Sequence, residues 1–168
     1  MLRQLTHATA VLALGAMPLF AQDLAVPQGD VILTVSGQIK STNIDGTAQF
    51  DLQMLEDLDG TEFETSTIWT EGTHIFQGVS LQVLVERLGI TGESLLATAI
   101  NDYAVDIPLT DAVEGGPMVA YKIDGETMSV RDKGPLWLVY PYDDKADYRS
   151  EVIYSRSIWQ LDRIEAVD

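Results

Sequence analysis

Cysteine is absent from all 168 residues, which excludes disulfides, thiolate nucleophiles and thiolate-bound metals or cofactors together. Histidine is nearly absent. His7 falls in an apolar leader, so His74 is the one imidazole beyond it, and a lone His builds no His-rich metal site. Bases are scarce: 10 Lys and Arg face 26 Asp and Glu, and the formal charge of −16 repels nucleic acid and anionic membrane surfaces. No apolar run beyond Phe20 approaches membrane-spanning length. Also missing are a Gly-x-Ser-x-Gly elbow, a Walker loop, a dinucleotide-binding glycine pattern and a zinc-protease helix. Acids are plentiful, but no pair is singled out for hydrolysis by paired carboxylates. Asp57-Leu-Asp-Gly60 lacks the further acids of a calcium loop and reads as a turn. Asp143 to Asp147 reads as a solvated acidic loop.

What is present begins with an address. Arg3, the apolar stretch Ala8 to Phe20 and a cleavable Leu19-Phe20-Ala21 read as a secretory signal peptide over residues 1–21. The remainder, 22–168, is expected to be one soluble domain exported to a bacterial periplasm, with 26 acids facing nine bases once Arg3 is removed.

Strand patterns fall at 31–40, 47–50, 61–70, 94–100, 103–107, 118–123 and 157–167, and helical spacing at 52–58 and 81–88. Asp51 and Ser80 are N-cap residues for the two helices, and Gly89 ends the second. Thr110 to Val113 reads as a single helical turn, while the 148–154 segment fits no one period. Many strands with two or three short helices predict a single α+β domain.

The chain's focus is Gly125 to Tyr142. A turn at Asp124-Gly125 leads to two cations, Arg131 and Lys133, then a Gly134-Pro135 corner and the apolar run Leu136 to Tyr140, stopped by Pro141. This is a core strand behind a basic turn. Such a turn beside aromatic edges also suits a rim for a planar, polar ligand.

Four segments, in register from about Val31 to Val167, resemble the sulfite oxidase fold, the oxidoreductase molybdopterin-binding domain family. Phe76-Gln-Gly-Val-Ser-Leu81, with Val83-Leu84 and Leu88-Gly89, is similar to its Gly-Val-x-Leu helix entry. Ala99-Ile-Asn-Asp-Tyr103 resembles its Ala-x-Asp-Gly-Tyr loop, and Val119-Ala-Tyr-Lys-Ile-Asp-Gly125 its Leu-Ala-Tyr-x-x-Asn-Gly strand. Gly134-Pro-Leu-Trp-Leu-Val-Tyr-Pro141 resembles its Gly-x-Pro-x-Arg-Leu-Val-x-Pro run, with Trp137 at the arginine. The family's metal-ligating cysteine sits in a Cys-x-x-Gly setting, whose counterpart here is Trp69-Thr-Glu-Gly72.

The resemblance implies a mixed-sheet domain that holds a pterin, and a tryptophan at the thiolate position implies no molybdenum. The chain is similar to the small, exported, stand-alone members of this family. Some of those bind a reduced pterin of the tetrahydropterin type and act on the periplasmic part of a membrane cyclic-di-GMP cyclase/phosphodiesterase. Trp69, Tyr103 and Trp137 would stack on the ring, as would Trp159 if it is not core. Asp102, beside Asn101, would pair with the donor edge, and Arg131, Lys133 and Arg156 would engage its oxygens. Two other readings stay open: a molybdopterin-dependent oxidoreductase with a non-thiolate ligand, and an interaction module that binds no ligand.

Overall fold

The computed structural model describes residues 24–168, so the leader reading for 1–21 lies outside the described residues. In chain order the elements are β1 (Leu33–Gly37), β2 (Ala48–Phe50), α1 (Leu52–Glu56), β3 (Gly60–Ser66), β4 (Thr73–Ser80), α2 (Leu81–Leu88), β5 (Ser94–Ala99) and β6 (Ala104–Pro108). There follow β7 (Met118–Ile123), β8 (Glu126–Thr127), β9 (Leu136–Val139), α3 (Glu151–Arg156) and β10 (Ile158–Val167). Single 3₁₀ turns sit at Leu109–Asp111, Val130–Asp132 and Ala146–Tyr148. The class is α+β: one curled, mixed sheet with a few short helices.

Strand β10 organises the sheet. Leu161 pairs with Leu136 of β9 and with Ala99 of β5, so those two strands lie on opposite edges of it. Farther along, β1 runs parallel to β10 from Thr34↔Arg163 to Gly37↔Ala166, while β5 continues antiparallel. From β9 the sheet proceeds through β7 and β4 to β3, all antiparallel. Strict alternation fails in β10. Register shifts on either side of Leu161 place Ile158, Leu161, Ile164 and Ala166 inward, as extra residues in a strand do.

Local chemistry explains the helices. Asp51 accepts from Met54 N at 2.9 Å as the N-cap of α1, and from Gln28 N and Gly29 N at 2.8 Å each. Those backbone donors, Gly29 first, hold its carboxyl below the usual carboxylate range. Ser80 Oγ accepts from Val83 N at 3.1 Å, and Gly89 at φ 59 closes α2 in the left-handed conformation. Helix α2 buries Leu81, Leu84 and Leu88. At about 1.5–3 kcal/mol per buried leucine, that stripe fixes the helix on the sheet. Gly78 lies so close to β7 that a Cβ there would collide with the Val119 carbonyl, which is why the Gly-Val pair precedes this helix.

Several boundaries differ from the sequence reading. The strand expected over 61–70 stops at Ser66, and residues 67–72 form a loop. The stretch before Ser80 is an eight-residue strand paired on both sides. The ambiguous 148–154 segment resolves into the end of a 3₁₀ turn and α3, whose N-cap is Ser150.

Candidate functional site

Loop 67–72 presents Trp69. Thr67 Oγ1 accepts from Trp69 N at 3.1 Å and pairs with Thr70 Oγ1 at 2.8 Å, a local turn that fixes the backbone below the indole. Trp69 is the hub of an aromatic cluster. Its ring meets Trp159, Tyr154, Trp137 and Tyr142 edge-on, at centroid distances of 5.7, 5.9, 6.0 and 6.2 Å. Edge-to-face contacts at this spacing are favourable for ring quadrupoles and hold the group rigid.

Beside this cluster opens a cleft of about 310 Å³. Trp69, Asn101, Tyr103, Tyr154, Trp159 and Gln160 line it from four segments: loop 67–72, the β5–β6 turn, α3 and the start of β10. Tyr103 is 58% and Trp159 36% exposed, large rings whose faces water still reaches. No charged side chain is among the lining residues. Tyr142 packs against the lining residues Trp69 and Tyr154, its hydroxyl shares a hydrogen bond with Ser157 Oγ, and burial pushes that hydroxyl up to about 12.

The expected site residues separate into two sets. Trp69, Asn101 and Tyr103 come together at the cleft. Lys133 stands beside it, its Nζ 5.1 Å from the Trp159 ring centroid and 5.7 Å from that of Trp137, in cation–π range of both. Trp137, expected to stack on the ligand, is instead fully buried in β9 and packs against Trp69 and Phe76. The apolar run around it made a core strand, and the strand took the indole inward. Asp102 points to Arg163, with which it forms an ion pair, and does not line the cleft. Arg131 is exposed on its 3₁₀ turn. Arg156 is engaged elsewhere: Nη1 lies 2.8 and 3.1 Å from the two Asp111 oxygens, and Tyr140 Oη donates to Asp111 at 2.7 Å.

Sequence reasoning missed Tyr154, Ser155, Ser157 and Gln160, which also line the cleft. Ser150 followed by Glu151 was an available helix-start signal for the segment that carries Tyr154. Nothing in the sequence marks the bulge that turns Gln160 toward the cleft.

For metal ligation the donors are few. The chain has no cysteine, and among the described residues no group of three or more His, Asp or Glu is placed to hold an ion. His74 is held by Asp124 and by the Glu71 carbonyl, and it is not a lining residue.

A family model described as oxidoreductase molybdopterin binding domain matches residues 46–143. No curated protein matches the chain. The matched stretch carries Trp69, Asn101 and Tyr103, whereas Tyr154 to Gln160, the other half of the cleft, lies beyond it.

Proposed function

This chain belongs to the oxidoreductase molybdopterin-binding domain family, and we propose that it is an exported protein that binds a reduced pterin without molybdenum and reports on it to a membrane partner. The observation that carries this reading is a cleft of aromatic faces lined by no cysteine, histidine or charged side chain. A pterin is flat and polar at its edges. Rings such as Trp159 and Tyr103 suit its faces, and neutral amides and hydroxyls suit its edges.

The complete cofactor fits these residues less well. Its metal takes a cysteine thiolate in the family's enzymes, and Trp69 stands in that motif here. Its phosphate would need a counter-ion, and none lines the cleft, Lys133 being stacked on Trp159. The partner we propose is the periplasmic domain of a membrane cyclic-di-GMP cyclase/phosphodiesterase, with the ligand-bound protein setting its activity.

The test is anaerobic titration of a tetrahydropterin into the exported full chain, with molybdenum measured in protein from a cofactor-competent host. Saturable binding at one site without stoichiometric metal is the expected result. Stoichiometric molybdenum would favour an oxidoreductase with a non-thiolate ligand instead. For the partner, co-expression with such a membrane protein should change cellular cyclic-di-GMP only while Trp159 and Tyr103 are intact. An unchanged level in both backgrounds would remove that part of the proposal.

A further inference from the structure

Gln160 occupies an unusual backbone position. It lies inside β10, at the register shift between Trp159 and Leu161, with φ 54, a left-handed conformation that a non-glycine residue adopts in mid-strand only when its surroundings impose it. Three hydrogen bonds do so. Its N–H donates to Lys133 O at 3.0 Å, its carbonyl accepts from Ile100 N at 2.9 Å, and its Nε2 donates to Val130 O at 2.7 Å. The residue therefore joins the 130–133 turn, the β5–β6 connection and β10 at one point.

The Val130 carbonyl can only accept, so it fixes which end of the Gln160 amide is nitrogen. The opposite atom, Oε1, has no partner among the described residues, and Gln160 lines the cleft. Asn101, which also lines the cleft, differs. Its Oδ1 already accepts from Tyr103 N at 3.2 Å, which leaves its N–H₂ to offer. One lining amide thus presents an acceptor and the other a donor. With no carboxylate among the lining residues and Asp102 paired to Arg163, the acceptor role expected of Asp102 is left to a neutral group.

We infer that Gln160 is a specificity-determining residue of the cleft, its Oε1 accepting from the exocyclic amino and ring N–H edge of a neutral bicyclic heterocycle. This rests on the pterin proposal and goes beyond it. The donor edge is read by an amide held at a bulge, without ion pairing, so that ligands lacking the amino group are rejected.

The test compares two probes on the full chain, dimethyltetrahydropterin and dimethyltetrahydrolumazine. In the second a carbonyl replaces the exocyclic amino group and would face Oε1 as acceptor against acceptor. The wild-type chain should bind the pterin about tenfold or more tightly over the lumazine, the scale of one unsatisfied buried polar group. In Gln160→Met that ratio should fall toward one. Gln160→Asn should behave likewise, because Asn tolerates the positive φ but its shorter side chain withdraws the oxygen. If both affinities fall together and the ratio persists, Gln160 only holds the backbone and the inference is overturned. Equal binding of the two probes to the wild-type chain overturns it too, without any variant, and leaves the pterin proposal standing. Binding of neither probe removes both.

Discussion

Two neighbouring clusters, linked through the Tyr140–Tyr142 contact at 6.3 Å, use the same residue types for opposite ends. Around Asp111 every partner answers another: Tyr140 donates to the carboxylate, Arg156 bridges its two oxygens, and burial raises the Tyr140 hydroxyl above its ordinary value. Around Trp69 the rings also touch one another, yet Tyr103 and Trp159 keep exposed faces at a cleft, and the side-chain Oε1 of Gln160, another lining residue, has no partner among the described residues. An aromatic beside a cation thus says little about function. What separates structure from site is whether the polar atoms are already satisfied.

The strongest way to break that distinction is at Trp137, which belongs to the packed side despite its contact with Trp69. Trp137→Ala should lower the unfolding free energy by about 3–5 kcal/mol, the range for deleting a buried Trp or Phe. Its buried Nε1 has no hydrogen-bond partner among the described residues, so Trp137→Phe should lose no bond and recover most of the stability. Urea unfolding of both variants measures this. A stable Trp137→Ala protein that merely fails to bind pterin would move Trp137 back to the site.

Next in size is Asp111. Asp111→Ala strands a mostly buried guanidinium and a buried phenol, and should cost about 2–4 kcal/mol. Pterin affinity, measured well below the melting temperature, should stay within about twofold, because the cluster is saturated within itself. A large loss of affinity with little loss of stability would show that Arg156 serves the ligand, as its residue type suggests.

Trp159→Ala sharpens the comparison from the other side. The ring is partly exposed, and its removal should change stability by about 1 kcal/mol or less. Pterin binding should weaken by about 1–3 kcal/mol, the scale of stacking plus burial. The reverse pattern, instability with intact binding, would make Trp159 a core residue and leave the cleft without its main face.

Most of the fold was legible because it rests on local signals. Asp51, Ser80 and Gly89 mark the ends of two helices through hydrogen bonds that a sequence displays directly. The site was legible only in part. Trp69, Asn101 and Tyr103 sit on loops whose position follows from the strands beside them. Whether Trp137 faces inward, whether Arg156 is already paired and where Gln160 points depend on residues 45, 30 or more positions away, and on bulges that shift a strand's two faces. Such partners are set by tertiary register, which residue type and spacing do not encode.

The smallest effect expected lies at His74, which does not line the cleft. Its Nδ1 is 2.7 Å from Asp124 Oδ2 and its Nε2 3.0 Å from Glu71 O. Both partners are acceptors, so both contacts are hydrogen bonds only when the ring carries two protons. The Asp124 hydrogen bond is the main cause that raises the histidine above its ordinary value, and the same bond lowers the Asp124 carboxyl. The folded chain therefore holds this proton more tightly than the unfolded one. The stabilisation is complete below the ordinary histidine value near 6.5, and it is lost as pH rises through the raised folded value. At the acid end the Asp124 contribution is lost as pH falls through its depressed value. The pair is largely solvated, Asp124 being 53% exposed, so the effect is modest and salt weakens it. His74→Gln should accordingly melt below wild type near pH of about 6, with the gap narrowing by about pH 8 and shrinking further in high salt. A gap that stays constant across that range would mean that His74 acts only as a neutral spacer. A gap that grows with pH would reverse the sign argued from its two acceptors.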